Sequence, residues 1–239
     1  MAPLTIQTTV TEIIPRTYNV KSFRFIRPEG LTYKAGQYLV VMVAVGEIDT
    51  MKALSISSSP TEEGHIEFTK KLTDSDFSKT LSVIKPGAPL YVRLPMGNFT
   101  FTGEYEKIAF LSGGIGITPI RSIIKYATDM QLSSSVVLLN SNTRVEDIAF
   151  KDELDAMQKS NKNLRIIHTL TDLDRDSPGW SGCRGYITKD MVRANIPDFE
   201  ERKFYLCGPP EMVSALTAIL TAELSVKKEN IILENFQGY

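Results

Sequence analysis

The sequence Leu111-Ser-Gly-Gly-Ile-Gly-Ile-Thr-Pro-Ile120 sets three glycines between two apolar segments of different spacing. The continuous apolar run 107–111 that leads into it is typical of a buried parallel strand. In residues 120–127, which follow, apolar side chains recur at helical spacing. Thr118 is the expected N-cap of this helix, and Pro119 suits its first position. The stretch therefore predicts a strand, a glycine turn and a helix N-terminus, an arrangement that holds phosphate through free N–H groups and the positive end of a helix.

The three glycines of this turn are Gly113, Gly114 and Gly116, and each permits positive φ or a close approach of a ligand to bare backbone. The pattern departs from the usual dinucleotide-binding fingerprint, because Pro119 stands where a third glycine of that fingerprint is expected. A tight strand–helix turn without any ligand is therefore the alternative at this stage. Other features of the chain must decide between the two interpretations.

The 239-residue chain has 27 basic and 28 acidic residues, which gives a formal net charge of −1. This balance does not indicate binding to nucleic acid or to an anionic membrane. The N-terminus lacks the features of a signal peptide and no apolar run approaches the length of a membrane span, so we expect a cytoplasmic protein of one or two domains. The two cysteines are too few for a disulfide framework, an iron–sulfur cluster or structural zinc, and the two histidines are isolated, so we expect no metal site.

Up to about residue 102 the sequence has a β texture. Six short runs rich in β-branched and aromatic residues are separated by turn signals such as Lys-Pro-Gly. The runs are 5–15, 18–26, 37–45, 53–58, 65–69 and 89–93. A helical piece at 77–83, with Ser75 or Asp76 as its N-cap, interrupts them. We expect a small six-stranded antiparallel barrel.

From residue 107 onward strand-like and helix-like segments alternate, which predicts right-handed βαβ units and a parallel sheet. Further strands are expected at 136–140, 164–170, 204–207 and 231–234, and helices at 121–130, 150–159, 188–194 and 211–224. The change of texture places a junction at 103–106. We therefore expect two domains, 1–102 and 103–239.

Ligands of such a sheet bind beyond the carboxyl ends of its strands. The glycine turn lies at such an end, and so does Tyr-Leu-Cys-Gly-Pro-Pro-Glu at 205–211, where a strand ends at Cys207 and a helix begins near Pro210. We expect both turns to face one crevice. Cys207 is then either a site residue or a buried structural cysteine.

Six motifs occur in the order in which the ferredoxin–NADP reductase superfamily carries them, and the chain resembles this superfamily over essentially its whole length. They are Gly36-Gln-Tyr38, Lys52-Ala-Leu-Ser-Ile-Ser-Ser-Ser-Pro60, Leu94-Pro-Met-Gly-Asn-Phe99, Gly113-Gly-Ile-Gly-Ile-Thr-Pro119, Cys207-Gly-Pro-Pro210 and Glu234-Asn-Phe236. The superfamily includes NADH-dependent cytochrome reductases and oxygenase reductases. The resemblance implies an FAD-binding barrel domain at 1–102 and an α/β NAD(P)-binding domain with a parallel sheet at 103–239.

The superfamily's flavin motif, Arg-x-Tyr-Ser, corresponds here to Lys52, Ala53, Leu54 and Ser55. Lysine can still meet a phosphate as a point charge, although it lacks the bidentate fork of arginine. Leu54 replaces the aromatic ring that packs on the flavin in the family. Ser55 retains the hydroxyl that lies close to flavin N5 in the family.

A second phosphate motif of the family is matched loosely by Ser75-Asp-Phe-Ser78. Ser78 would donate to a pyrophosphate there, or the segment would be an ordinary helix cap. The family pattern for members without a fused ferredoxin domain favours FAD over FMN.

Cys207 and Glu234 match positions that lie beside the nicotinamide ring in the family, and Gly208 and Pro209 belong to the same motif. The glycine turn, together with Thr118 and Pro119, would bind the pyrophosphate of the nicotinamide dinucleotide. Near the end of the chain, either Phe236 or Tyr239 would cover one flavin face. Simple packing of a terminal aromatic residue is the alternative.

The resemblance leaves NADH and NADPH open as the co-substrate. Arg144, after the second parallel strand, could bind the 2′-phosphate of NADPH, with Arg175 and Arg184 as further contributors. In contrast, Asn142-Thr143 and Asp147 are similar to the NADH-using reductases. On balance the sequence favours NADH.

The implied activity is that of a flavin-dependent NAD(P)H oxidoreductase. A hydride passes from the nicotinamide to flavin N5, with Ser55, Cys207 and Glu234 as the catalytic residues, and the electrons leave singly to ferredoxin or a similar small redox protein. Basic residues of the barrel would dock this partner or form a solvated face: Lys70, Lys71, Lys79, Lys85 and Arg93. Free flavin, ferric chelates or an oxygenase are other acceptors. Two different classes remain as alternatives, an electron-transfer subunit of a larger redox complex and a nucleotide-binding module that has lost its flavin.

Overall fold

The computed structural model describes residues 2–45, 48–172 and 179–235. Arg175, Phe236 and Tyr239 lie outside the described residues, so the roles assigned to them stay predictions.

Within the described residues the N-terminal part has seven strands, one more than the sequence predicts. They are β1 (Leu4–Thr9), β2 (Glu12–Thr17), β3 (Val20–Ile26), β4 (Tyr38–Val45), β5 (Ile48–Ser55), β6 (His65–Lys71) and β7 (Pro89–Met96). The predicted strand 5–15 is divided because the backbone changes partner in its middle. Val10 N donates to Ala88 O at 2.9 Å, whereas Thr11 N donates to Arg24 O at 2.8 Å. As a result, β1 and β2 enter different sheets.

The two N-terminal sheets are antiparallel, with strand orders β1-β7-β4-β5 and β2-β3-β6. Their inner faces share one apolar cluster, and a bridge between Ile56 and Phe68 joins β5 to β6. Helix α1 (Asp76–Val83) adds Phe77 and Leu81 to the same cluster. This is the antiparallel barrel that the sequence predicts, with one strand more.

The C-terminal part consists of a parallel sheet with helices on both faces. Its strands are β8 (Lys107–Gly113), β9 (Ser135–Asn142), β10 (Leu164–Leu170), β11 (Cys183–Arg184), β12 (Lys203–Gly208) and β13 (Ile231–Asn235). Its helices are α2 (Ile117–Asp129), α3 (Lys151–Ser160), α4 (Lys189–Asn195) and α5 (Pro210–Ala218). The strand order is β11-β10-β9-β8-β12-β13, and each pair is parallel. Helices α2 and α3 pack in one apolar cluster and α4 and α5 in another, which confirms the predicted α/β architecture.

Helix α2 begins differently from the prediction. Residues Gly114–Gly116 form a single 3-10 turn that runs directly into the helix at Ile117. Thr118 is therefore not the N-cap, since it lies inside the first turn and its hydroxyl donates to Ile115 O at 3.0 Å. Pro119 also lies within the helix, where its missing N–H costs nothing because the first turn has no intrahelical acceptors for its N–H groups.

The barrel and the parallel-sheet part share a core. Phe99 and Phe101, which follow β7, pack in the same cluster as the inner face of α2. Tyr205 on β12 donates its hydroxyl to Thr100 O at 2.9 Å. Gly36 has φ +92°, and a Cβ there would lie 2.0 Å from Phe99 O and 2.9 Å from Ile123 Cδ1 on α2, so no side chain fits where the barrel packs against this helix.

No helix in the described part of the chain combines the length and the apolar character that crossing a bilayer requires.

Candidate functional site

A groove of about 600 Å³ lies at the carboxyl ends of the parallel strands. One wall is formed by Gly113, Gly114 and Ile115 of the glycine turn, and another by residues 141–143 after β9. Asn19, Val20 and Lys71 line it from the barrel, so both parts of the chain contribute. Its volume and its position at the strand ends are typical of a nucleotide site in an open α/β sheet.

The glycines of the turn are needed for two different reasons. Gly114 has φ +53°, and a Cβ there would meet no atom within 4 Å, so this backbone opens towards the groove. In contrast, a Cβ at Gly116 would lie 2.2 Å from Cys207 O, and one at Gly113 would lie 2.2 Å from Met212 Sδ. Gly208 is packed less tightly, with a Cβ position 3.3 Å from Gly113 N. The turn therefore rests directly on the end of β12 and offers bare backbone on its open side.

The predicted nucleotide-binding residues fall into two groups, those that line the groove and those that are buried at the start of α2. Gly113, Gly114 and Pro209 line the groove, and their contact with a dinucleotide stays a prediction. Thr118 is buried and its hydroxyl is engaged by Ile115 O, and Pro119 is buried beside it. These two residues build the start of α2, and direct contact of either with a ligand stays a prediction.

A row of polar side chains crosses the sheet one step before the groove. The strand register places His168, Asn140, Ser112, Cys207 and Glu234 side by side on five neighbouring strands, β10, β9, β8, β12 and β13. The structure thus brings Cys207 and Glu234 together, as the sequence predicts. Sequence reasoning missed Ser112 and Asn140. Each is a polar residue near the end of an otherwise apolar strand, and that pattern could have identified them. Both are buried, and Ser112 Oγ and Asn140 Oδ1 have no hydrogen-bond partner among the described residues.

Burial dominates the titration behaviour of Cys207 and Glu234. The thiol of Cys207 is fully buried, and burial together with the nearby Glu234 carboxylate raises its pKa well above the usual value. Burial also raises the pKa of Glu234 to about 7. Near neutral pH the pair therefore combines a neutral thiol with a carboxyl group that is close to half protonated, and Glu234 can take up or release a proton there.

A second site lies at the end of β5, where the sequence predicts flavin binding. Ser55 is buried, and its hydroxyl has no hydrogen-bond partner among the described residues. Leu54 beside it is also buried, whereas Ala53 is exposed. A buried hydroxyl without a partner is costly, so it marks a position where a ligand atom can complete the hydrogen bond.

Three lysines cluster close to this strand. Burial lowers the pKa of Lys70 first, and the charges of Lys52 and Lys71 lower it further, which shows that the three ammonium groups act on one another. Such a group of like charges fits an anion such as a flavin phosphate. The predicted docking role of Lys70 is wrong, because only 7% of this residue is exposed and its Nζ donates to Lys71 O at 2.7 Å.

Ser78 has a structural role at the start of α1. Ser75 is the N-cap, as one of the two predicted alternatives states, and its Oγ accepts from Ser78 N. The buried Ser78 hydroxyl lies 3.1 Å from both Thr73 Oγ1 and Ser75 Oγ. Its donation to a flavin pyrophosphate stays a prediction.

Arg144 is hydrogen-bonded to two acidic residues. Its Nε donates to Asp172 Oδ2 at 2.8 Å, and its backbone N–H donates to Asp147 Oδ2 at 3.0 Å. Asp147 lines the groove together with Thr143, and Tyr186, 78% exposed, stands at the same opening. The strand ends thus present carboxylates and an aromatic ring, and the Arg144 guanidinium is turned towards Asp172.

The residues present fit a flavin and a nicotinamide dinucleotide, because an orphaned hydroxyl, a lysine cluster and a glycine turn lie where these groups need donors and bare backbone. Comparison with known proteins agrees. The family model for the FAD-binding domain of oxidoreductases matches residues 7–101, and the model for the NAD-binding domain of oxidoreductases matches residues 110–217.

Curated relatives carry the same two regions. An NADH-cytochrome b5 reductase 1 of Ajellomyces capsulatus is 31% identical over 230 residues, which cover 90% of this chain and 73% of that protein. A glycine betaine monooxygenase reductase subunit of Chromohalobacter salexigens is 28% identical over 215 residues, 87% of this chain and 58% of that protein. The chain spans only about 58–64% of the length of several relatives that it matches.

A solved structure shows the same fold. The ferredoxin NADP+ reductase from Neisseria gonorrhoeae, with bound FAD and NADP, has a TM-score of 0.81 and 22% identity, and the alignment covers 98% of this chain and 99% of that one. Fold and site thus define a two-domain protein built to bind FAD and a nicotinamide dinucleotide. The chain belongs to the ferredoxin–NADP reductase superfamily, and its cofactor is FAD.

Proposed function

We propose that the protein is a flavin-dependent NADH oxidoreductase that passes electrons one at a time to a separate acceptor. The observation that carries this proposal is the groove, which is lined by the glycine turn on one side and by the barrel on the other. In this assignment residues 1–102 hold FAD and residues 103–239 hold the nicotinamide dinucleotide. Bound FAD supplies hydride acceptance at N5 and single-electron release to an acceptor.

The chain's own residues would orient and hold these groups. The open backbone at Gly114, with Gly113 beside it in the groove wall, would donate N–H groups to the dinucleotide pyrophosphate, with the start of α2 behind it. Cys207, fully buried one step before the groove, would form a neutral floor beneath the nicotinamide, and Glu234 next to it would hold or release a proton at its carboxyl oxygens. The Ser55 hydroxyl completes its missing hydrogen bond near flavin N5, and Lys52 compensates a flavin phosphate.

Two features of the groove favour NADH over NADPH. A 2′-phosphate at the end of β9 would face the carboxylate of Asp147, which lines the groove, and the repulsion would oppose its binding. Arg144, which sequence analysis considered as a phosphate ligand, is already paired with Asp172. Tyr186 offers an exposed ring on which the adenine of either nucleotide can stack, so it supports dinucleotide binding without distinguishing NADH from NADPH.

The test is an anaerobic absorbance titration of the FAD-loaded protein with NADH and, in parallel, with NADPH. We expect NADH to bleach the flavin band, and kcat/KM to favour NADH by about tenfold or more, since a lost or repelled charge contact is worth at least about 1.4 kcal/mol. A preference for NADPH would contradict the assignment of the acidic residues. A yellow protein that neither nucleotide reduces would contradict the proposed function itself.

Ferredoxin or another small redox protein is the proposed acceptor, and an oxygenase component is the second candidate because one relative is named as the reductase subunit of a monooxygenase. Lys71, Lys79 and Lys85 are exposed on the barrel and can meet an acidic partner. Reduction rates with ferredoxin and with cytochrome c at low and high salt would test this. A rate with ferredoxin that does not fall with salt would contradict docking through these lysines.

A further inference from the structure

Two adjacent side chains of α2 reach across the boundary and hold the segment that follows Ser55. Arg121 Nη1 donates to Ser57 O at 3.0 Å, and Ser122 Oγ donates to Ser58 O at 2.6 Å. Both side chains are buried, so water does not compete for these carbonyl groups. The backbone two and three residues after Ser55 is thereby fixed to the helix.

The guanidinium of Arg121 is itself held from both sides. It pairs with Glu62 on the barrel, where Nη2 donates to Oε1 at 3.0 Å, and with Glu153 on α3, where Nε donates to Oε2 at 3.0 Å. Glu62 also accepts from Ser59 N at 2.6 Å. Residues 57–62 therefore contact the guanidinium through both the Ser57 carbonyl and the Glu62 carboxylate. Both Nη atoms of Arg121 donate to Glu62, which makes this ion pair bidentate.

The glycine turn leads directly into the N-terminus of the same helix. Gly116 precedes Ile117, where α2 begins, and Arg121 is only five residues further on. We call the contacts of Arg121 and Ser122 with residues 57 and 58 the Arg121 joint. At a rise of about 1.5 Å per residue, this joint lies roughly 8 Å along the helix axis from the glycine turn. One rigid helix therefore connects the nucleotide turn to the strand that ends at Ser55.

We propose that Arg121 and Ser122 are positioning residues that set the separation between the flavin at Ser55 and the nicotinamide held by the glycine turn. This inference rests on the proposed function. Hydride transfer needs its reacting atoms about 3–3.5 Å apart, and a displacement of about 1 Å is enough to slow it about a hundredfold. A joint that fixes two carbonyl groups beside Ser55 controls that distance without touching either ligand.

The test uses the full chain loaded with FAD and three variants: Ser122→Ala, Arg121→Lys and the double variant. Ser122→Ala removes one hydrogen bond and leaves no charge unpaired, whereas Arg121→Lys keeps the charge but loses the fork. In stopped-flow with saturating NADH, we expect flavin reduction to slow about threefold to tenfold in each single variant and about 10- to 100-fold in the double variant. The long-wavelength charge-transfer absorbance of the bound nicotinamide–flavin pair should weaken in parallel.

Binding provides the readout that separates positioning from general damage. The Kd values for FAD and for ADP-ribose should stay within about twofold of the parent, because neither residue touches a ligand. In the apoprotein, hydrogen exchange of the amides of residues 56–59 should become faster. Asp129→Ala is the matched control, since it removes another contact between α2 and the same loop, the hydrogen bond that the Thr61 hydroxyl donates to the Asp129 carboxylate, and should leave the reduction rate unchanged.

An unchanged reduction rate in the double variant would overturn the proposal, as would an equal loss of ligand affinity and rate. If neither NADH nor NADPH reduces the parent protein, the proposed function fails before the variants are compared. If the parent is reduced and the double variant is reduced equally fast, only the positioning role fails.

Discussion

The hydroxyl of Ser55 is buried without a hydrogen-bond partner among the described residues, and this has opposite consequences for the two forms of the protein. Without FAD, an unsatisfied hydroxyl costs about 1–3 kcal/mol, so Ser55→Ala should raise the free energy of unfolding of the apoprotein by about 1 kcal/mol. With FAD, the same change should slow flavin reduction about 10- to 100-fold if the hydroxyl serves N5. Urea unfolding of the apoprotein and stopped-flow reduction of the loaded protein measure the two effects.

Ser57→Ala is the matched control for this prediction. The Ser57 hydroxyl lies 3.0 Å from Glu67 Oε1 and 2.8 Å from Thr69 Oγ1, so its removal breaks existing bonds and should lower apoprotein stability by about 1 kcal/mol or more. If both variants destabilise the apoprotein equally, the Ser55 hydroxyl is satisfied there and does not await a ligand.

Glu234 gives a pH-dependent prediction at the same scale. Burial raises its pKa to about 7 in the folded protein, against a usual value of 4.5, so the neutral form is favoured by folding. Its stabilising contribution is complete below pH 4.5 and is lost as pH rises through about 7. Glu234→Gln should remove this loss and leave the variant more stable than the parent at pH 8 by about 1–3 kcal/mol, with a smaller difference at pH 5. Urea unfolding of the parent and the variant at pH 5 and pH 8 measures this difference in stability. An equal difference at the two pH values would contradict the raised pKa of Glu234.

At the scale of elements, two glycines of the same turn have different roles: Gly116 is needed for packing and Gly114 for binding. Gly116→Ala would drive a Cβ into Cys207 O, so we expect loss of several kcal/mol of stability or failure to fold. Gly114→Ala meets open space and only strains a positive φ, at about 1 kcal/mol, but it places a methyl group where the dinucleotide approaches. Calorimetry of unfolding and of ADP-ribose binding should show a folded Gly114→Ala variant whose Kd is raised at least tenfold. Normal affinity in that variant would remove Gly114 from the site.

The elements also show where sequence reasoning succeeds. The apolar run 107–111, the glycines and the alternation of strand and helix depend on local residues, and they predicted β8, the turn and the parallel sheet correctly. The division of β1 from β2 at Val10 was missed, because both halves have the same β texture and only their partners differ. The Thr118 cap was wrong since the glycines themselves form the turn that starts α2.

Contacts between distant residues could not be predicted. Arg121 and Ser57 are 64 residues apart, and no spacing rule marks either as the partner of the other. The same holds for Arg144, whose charge suggested a phosphate ligand until the fold brought Asp172 to its guanidinium. The polar row from His168 to Glu234 exists only in the register of the folded sheet.

At the scale of the whole molecule, buried charges tie the barrel to the parallel-sheet part. Glu67 on β6 is 1% exposed and accepts from Arg16 at 3.0 Å and from Arg24 at 2.8 Å. Arg16 also pairs with Glu153 on α3, at 2.5 Å, and Glu153 receives Arg121 as well. Removing one member of such a network leaves a charge unpaired in a low dielectric, so breaking the contacts between the two parts is costly.

Acid should weaken this network. Burial opposes ionisation of Glu67 and Glu153, but the surrounding arginines outweigh it and hold the pKa of each carboxyl below its usual 4.5. Their stabilising contribution is therefore present above pH 4.5 and is lost as pH falls through the lower folded values.

The network predicts that the two parts unfold as one unit, and the sequence offers one probe in each. Of its two histidines, His65 lies on β6 of the barrel and His168 on β10 of the parallel sheet, so their ring proton NMR signals report the parts separately. In urea at pH 7 both folded signals should disappear at the same midpoint. Glu153→Gln removes the carboxylate that Arg16 and Arg121 share. This change should lower the free energy of unfolding by about 1–3 kcal/mol, less than the loss of a fully buried pair because Glu153 is partly exposed. The midpoints of the two histidine signals should then separate. Lys151→Gln, which breaks only the half-exposed pair with Asp155 on the same helix, should leave them together. If the parent already shows two midpoints, the buried charges do not couple its parts, and the fixed separation required of the Arg121 joint would have to come from the shared apolar core alone.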